Sequence, residues 1–478
     1  MKKKLGPYSP KWQPLTGDVI QTHRLDSLPN DVCKEYKGLP IVICTIGKAL
    51  KNKNRLSFWS CALQELRKPS PTKYSALLDK EYKNIALSYE YLKDEELRKT
   101  FLISSLIENN TSISDLFKHV VCLDVFGRAN LTMEEARLRL DKLVYNLKDA
   151  CLLLDGFKNG QFAMHDVVRD VATTIAYVDH YVFTTRNDVE QEWKNKDKLK
   201  KCTKIFLLDN STIISKLWPN DFDCPNLEYF HMTKMWNSSF KIPEDFFTVM
   251  PKLRVLNLVR LQQSSLPSLI HCLTNLQTLC LRNSSMEGVS IIGKLNKLKV
   301  LSLQHFNIKE FSTEMGQLTQ LRLLDLSYCC HLKVIAPNVI SKLSNLEELY
   351  LEACPIQWKI EVLEELKLLS NLVSVELEIK DHKVLPENFF SRKLIRYKIL
   401  VEYWRYPYPK ISEQECLMIL KLMINPTIYW EKLCGIKNVE LLCLTEYEDD
   451  DDEDEDDLEH SKFNLQSNEI TPLFNKKV

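Results

Sequence analysis

Glycine is scarce, at 11 of 478 residues. That excludes a collagen-like chain, a Gly-rich linker and an all-β architecture built on many tight turns. C-x-x-C spacing is absent among the 15 cysteines. A chain this long needs no disulfide staples, so reduced thiols in a cytoplasmic protein are expected. Cys329, Cys330 and His331 are consecutive, and adjacent side chains rarely converge on one zinc ion, so no metal site is assigned. No apolar run reaches 18 residues, so no membrane span is expected. Residues 1–15 are basic and then interrupted by prolines, which is not a signal peptide. A net charge of one sign is missing too: 64 Lys+Arg balance 64 Asp+Glu. No basic field is available to recruit nucleic acid or a membrane surface. Locally the balance fails. Residues 446–459 hold twelve acids, a density that repels itself and predicts a disordered acidic tail over 446–478.

Catalytic signatures are also lacking. There is no G-x-S-x-G and no H-E-x-x-H. The two Gly-Lys pairs, Gly47-Lys48 and Gly293-Lys294, are followed by Ala49 and Leu295. A phosphate loop needs Ser or Thr there to hold magnesium. The sequence therefore predicts no enzyme, and no cofactor is demonstrable from the residues.

What the chain does contain is a repeat. The pattern apolar-x-x-apolar-x-apolar starts at Leu227, Leu253, Leu276, Leu298, Leu321, Leu346, Leu372, Leu394, Leu417 and Val439, with a weaker unit at Cys202. Neighbouring starts lie 22 to 26 residues apart, inside the roughly 20–29-residue period of leucine-rich repeats. Each unit supplies one short strand whose apolar face cannot be covered alone, so units stack into a curved solenoid. The asparagine usual after each strand is mostly missing, so the repeats are irregular. Residues flanking the middle apolar position project from the concave face. They include Tyr229, His231, Asp325, Glu348, Tyr350, Arg396 and Lys398, a mixed aromatic and charged set that suits a protein partner. Residues 403–408 add an aromatic cluster with Arg405 and Tyr408, residue types that dominate interface energetics. Within that cluster Trp404 is read as core packing.

Upstream of about residue 200 the periodicity turns helical. Thr132-x-x-Glu135 is a capping box. The helix behind it carries Ala136, Leu138, Leu140, Leu143, Val144 and Leu147 on one face. Met164, Val167, Val168, Val171, Ala172 and Ile175 fit a second amphipathic helix. Between them, 150–160 has the punctuation of a small hairpin. Short helices with one hairpin describe a winged-helix-like module. The predicted fold class is α/β. Its parts are an irregular segment (1–26), a helical remnant of a nucleotide-switch domain (27–78), the winged-helix-like module (79–195), the leucine-rich-repeat solenoid (196–445) and the acidic tail (446–478).

Gly38-Leu39-Pro40, then Leu87-Ser88-Tyr89, Phe101-Leu102 and Met164-His165-Asp166, followed by the repeats, form an ordered set. It resembles plant intracellular disease-resistance proteins, the nucleotide-binding leucine-rich-repeat immune receptors, and most nearly their coiled-coil class. The resemblance spans roughly residues 28–445. It implies ADP or ATP in intact relatives, with Pro40 near the adenine and His165 meeting the ADP β-phosphate. From the residues alone, Pro40 reads as the first residue of a helix and His165 as a polar residue at a helix start. The phosphate loop of such receptors would lie upstream of Gly38, and residues 1–26 do not resemble it, so a truncated relative is expected. The implied function is recognition of a pathogen effector or an altered host protein, with regulation of defence signalling. The alternatives are an ADP/ATP-dependent switch completed by another chain, or a non-signalling decoy or adaptor. Oligomeric state is not legible.

Overall fold

The computed structural model describes residues 83–127, 130–184, 195–208, 222–234, 241–286, 288–387 and 394–401, the single residues 60, 64 and 389, and the backbone of three later strands. The chain divides into two compact units, Met1–Ser88 and Tyr89–Val478. Nearly all of the first lies outside the described residues, and with it the expected segments 1–26 and 27–78. The acidic stretch 446–459 lies outside them as well.

The second unit opens with a helical module. It runs α1 (Glu95–Leu106), β1 (Thr111–Ser112), α2 (Ile113–Val120), α3 (Met133–Asp149), β2 (Leu154–Asp155), β3 (Gln161–Ala163) and α4 (Asp166–His180). β1, β3 and β2 form a small antiparallel sheet. This is the expected winged-helix-like arrangement, with the hairpin strand β3 reaching past residue 160. The local signals explain its helix starts. Asp94, Ser112 and Thr132 each accept a backbone N–H at the start of α1, α2 and α3, and the Thr132–Glu135 capping box is formed in both directions. Phe101, Leu116, Phe117, Leu140, Leu143, Phe162, Val168 and Ile175 are buried. Leu138 departs from the expected face of α3: it is exposed, while Met133 and Arg137 are buried. Position 138 lies about 200° round the helix from Ala136, on the opposite side.

From Val182 onward a 13-stranded sheet forms. Its strands are β4 (Val182–Thr184), β5 (Lys204–Leu207), β6 (Tyr229–Thr233), β7 (Val255–Val259), β8 (Thr278–Arg282), β9 (Val300–Ser302), β11 (Leu323–Asp325), β13 (Glu348–Tyr350), β14 (Ser374–Ile379), β15 (Arg396–Val401), β16 (Met418–Met423), β17 (Leu441–Thr445) and β18 (Lys462–Phe463). All pairings are parallel except the last, β17 with β18. β4 carries no repeat signature and falls inside the stretch 79–195 assigned to the winged-helix-like module. It belongs to the sheet because it pairs with β5. On the far side run two short strands, β10 (Glu310–Phe311) and β12 (Val334–Ile335), also paired in parallel.

The register sets like against like. Leu256, Leu279, Leu301, Leu324, Leu349 and Val375 are aligned neighbour to neighbour and are all buried in one continuous core. Truncating any of them would leave a cavity costing roughly 2–5 kcal/mol. The returns between strands are mostly single 3₁₀ turns, such as Ser268–Cys272, Val289–Lys294 and Thr313–Gln317. Gly293 is required by this stacking: a Cβ there would sit 2.4 Å from the Glu314 carbonyl oxygen.

The missing asparagines have a structural counterpart. Two residues beyond the last apolar position of five successive units, Arg260, Asn283, His305, Tyr328 and Ala353 all adopt positive φ. One position later, the Cys329 and Cys354 thiols donate to the Leu303 and Leu326 carbonyls, both at 3.0 Å. These cysteines are buried and unpaired by disulfide, and they serve the previous unit's backbone.

Candidate functional site

The face of the sheet expected to be free is covered. α2, α3 and the residues between them lie on it, in a line of pairings that runs from the start of β7 to β15, seven neighbouring strands of the sheet. Asp115 of α2 pairs with Arg282 of β8 at 2.5 Å. Lys118 pairs with Asp325 of β11 at 2.5 Å, with side-chain exposures of 5% and 2%. Asp124, after α2, meets Arg254 before β7 at 2.7 Å. On α3, Glu134 meets Arg396 of β15. Arg137 grips Glu348 of β13 with two hydrogen bonds, of 2.7 and 2.5 Å, while its guanidinium lies 4.2 Å from the Phe117 ring centroid. The N-terminus of α3 is held by Glu347, which accepts from Met133 N at 2.6 Å and from Arg322 at 2.5 Å. A carboxylate at that end also complements the helix dipole.

Charge follows geometry. Burial alone would lower the Lys118 pKa, but Asp325 and Asp115 outweigh it and raise it. Burial alone would raise the Asp115 pKa, but Lys118 and Arg282 hold the carboxyl well below the usual range. Both stay ionised as a buried network. Arg137 behaves in the same way, its pKa raised despite burial by Tyr350 and Glu348. Next to this network sits a neutral patch. His119 Nδ1 is 2.5 Å from the Tyr229 hydroxyl, and its Nε2 is 3.4 Å from the Asn257 amide. The His119 and His231 rings have centroids 6.2 Å apart.

Of the predicted partner-binding residues, Tyr229, Asp325 and Glu348 are buried, and His231, Tyr350, Arg396 and Lys398 are half-buried. The expectation of an open wall is thus corrected for Tyr229, His231, Asp325, Glu348, Tyr350 and Arg396, because the chain's own helices occupy it. Lys398 lies beyond those contacts and pairs with Glu352 at 2.9 Å. Arg405 and Tyr408 lie outside the described residues. Sequence reasoning missed Lys118, His119 and Arg137. The available signal was a charged or polar residue set among Leu116, Phe117 and Val120, or beside Ala136 and Leu140.

His165 caps α4 and is exposed, its Nδ1 accepting from Val167 N at 3.3 Å. Pro40 lies outside the described residues. Beside His165 a cavity of about 160 Å³ is lined by Ser105, Asn109, Asp166, Arg169 and Phe206. Ligand pockets run to about 300–1,000 Å³. Arg169 is committed to the Ser105 and Ile107 carbonyls, and Asp166 would repel a phosphate. This cavity does not fit a nucleotide.

Ladder, register and repeat period together define a leucine-rich-repeat protein. A leucine-rich-repeat family model matches residues 296–356. Disease resistance protein At4g27190 of Arabidopsis thaliana is 28% identical over 413 residues, covering 80% of this chain and 40% of that protein. Disease resistance protein RPS5 of the same plant is 25% identical over 429 residues, covering 87% and 44%. The probable disease resistance protein At1g15890 is 26% identical, covering 80% and 41%. A solved Leptospira interrogans leucine-rich-repeat protein overlaps 52% of this chain and 74% of its own at 21% identity, with a TM-score of 0.31. The chain is similar to these plant disease-resistance proteins and spans about two fifths of their length. Among the described residues, no helix is long and apolar enough to cross a membrane.

Proposed function

We propose that this chain serves in plant disease resistance as a recognition element. Its repeats bind a protein, either a pathogen effector or an altered host protein, on the face that α2 and α3 cover. Partner and module then compete, and recognition is coupled to release of the module. The observation that carries this is the buried pairing of Lys118 with Asp325 and Arg137 with Glu348. Such pairs lose several kcal/mol when one side is removed, so the covered face holds its module by specific contacts that a competing partner must replace. A ligand shifts such an equilibrium only by its differential affinity for the two states.

The test is a binding screen of the full chain against candidate effectors and host targets. A Lys118→Ala/Arg137→Ala variant, with its module loosened, is expected to bind a genuine partner more tightly. Lys398→Glu, on the sheet but beyond the module's contacts, is expected to weaken binding. A partner indifferent to all three substitutions would remove the covered face from the recognition site.

A further inference from the structure

The interface between module and repeats contains two imidazoles that the charge network does not use. His119 projects from α2 and His231 from β6, and their ring centroids are 6.2 Å apart. His119 touches the Tyr229 hydroxyl and the Asn257 amide, both neutral. His231 Nε2 meets the Thr233 hydroxyl at 3.1 Å. Its Nδ1 and the Asn257 Oδ1 have no hydrogen-bond partner among the described residues. The Phe206 ring stacks on His231 at 5.7 Å.

The charges facing this pair do not suit a cation. From α2 come Asp115 and Lys118, and from β8 Arg282. Asp115 is already shared by Lys118 at 3.2 Å and Arg282 at 2.5 Å. Asp325 is held by Lys118. Two cations thus sit beside the rings, and the nearby carboxylates are committed elsewhere. A proton on either ring would be buried among neutral groups and like charges, which is unfavourable.

We propose that docking of the module on the repeats is acid-labile, with His119 and His231 as the titrating pair. Burial, then His231, depresses the His119 pKa to about 3. Burial, then Arg282, depresses that of His231 to about 4. Once the module lifts away, both rings meet water and return towards the ordinary value of about 6.5. The sign follows from linkage: the released state binds more protons, so docking is complete above about 6.5 and weakens as pH falls below it. Between pH 7.5 and 5.5 each ring shifts the opening equilibrium about tenfold, and the pair about a hundredfold. The device does not depend on which partner the repeats bind.

Hydrogen exchange of the α2 amides in the full chain, corrected for the intrinsic pH dependence, reads this equilibrium. A Glu376→Gln background removes a carboxyl on the same face that titrates near 7. Opening is expected to rise on the order of a hundredfold from pH 7.5 to 5.5 and about tenfold in His231→Gln. His119→Gln/His231→Gln should show no more than about a twofold change. A Glu376→Gln chain with both histidines intact and pH-independent opening would overturn the proposal. So would a His231→Gln chain that keeps the full response.

Discussion

Lys118 and Asp325 stand 207 residues apart in sequence, and their charged atoms lie 2.5 Å apart, shut away from solvent. Neither can lose the other cheaply. Lys118→Ala should destabilise docking by roughly 3–5 kcal/mol because it strands the Asp325 carboxylate. Replacing both, as Lys118→Met/Asp325→Leu, should cost far less, since no buried charge remains. Urea unfolding of the two variants separates these outcomes. Equal losses would show that the pair contributes nothing beyond packing.

Arg137 contributes shape as well as charge. Its fork holds both Glu348 oxygens and its plane lies over Phe117. Arg137→Lys keeps the charge but forfeits the two-point grip and the stacking. A loss of about 1–3 kcal/mol is expected, with most of the coupling to Glu348 gone in a double-mutant cycle with Glu348→Gln. A Lys variant as stable as the parent would reduce the contact to simple charge attraction.

Glu376 of β14 is an acid held in an unfavourable place. Burial, then Glu352, raises its pKa to about 7, with Lys398 opposing. A carboxyl with a raised folded pKa costs stability once pH exceeds its unfolded value, and the cost is complete above the folded value. Glu376→Gln should therefore stabilise the chain at pH 8, on the order of 1–3 kcal/mol, and do so much less at pH 5. Thermal unfolding at the two pH values is the check. An equal gain at both would refute the electrostatic cause.

The capping box makes a local prediction. Thr132→Ala removes one of two reciprocal contacts at the start of α3 and should cost about 1 kcal/mol. The loss should appear as faster amide exchange in the first turn of α3. Because Glu347 holds the adjacent Met133 N–H, exchange at Met133 itself is expected to change least.

The ladder was legible because strand period and repeat period are both local. Leu256 and Leu279 announce themselves by spacing, and the sheet places them side by side. The start of α3 was legible for the same reason, in Thr132 and Glu135. What covers the sheet was not. Nothing near Asp325 says that Lys118 will arrive, since a buried ion pair is a relation between distant segments with no period of its own. Leu138 misled because leucine content stood in for helical angle. β4 was missed because Val182–Thr184 carries no leucine signature, although it pairs with β5 and sends Phe183 into the repeat core.

The order of elements has a consequence for biosynthesis. The helices that cover the sheet leave the ribosome before the strands that receive them. At about 5–20 residues per second, the 207 residues between Lys118 and Asp325 correspond to roughly 10–40 s of translation. Until it ends Lys118 on the nascent α2 has no Asp325 to meet, and His119 waits 110 residues for Tyr229, which makes this surface a natural client for chaperones until the ladder has grown beneath it.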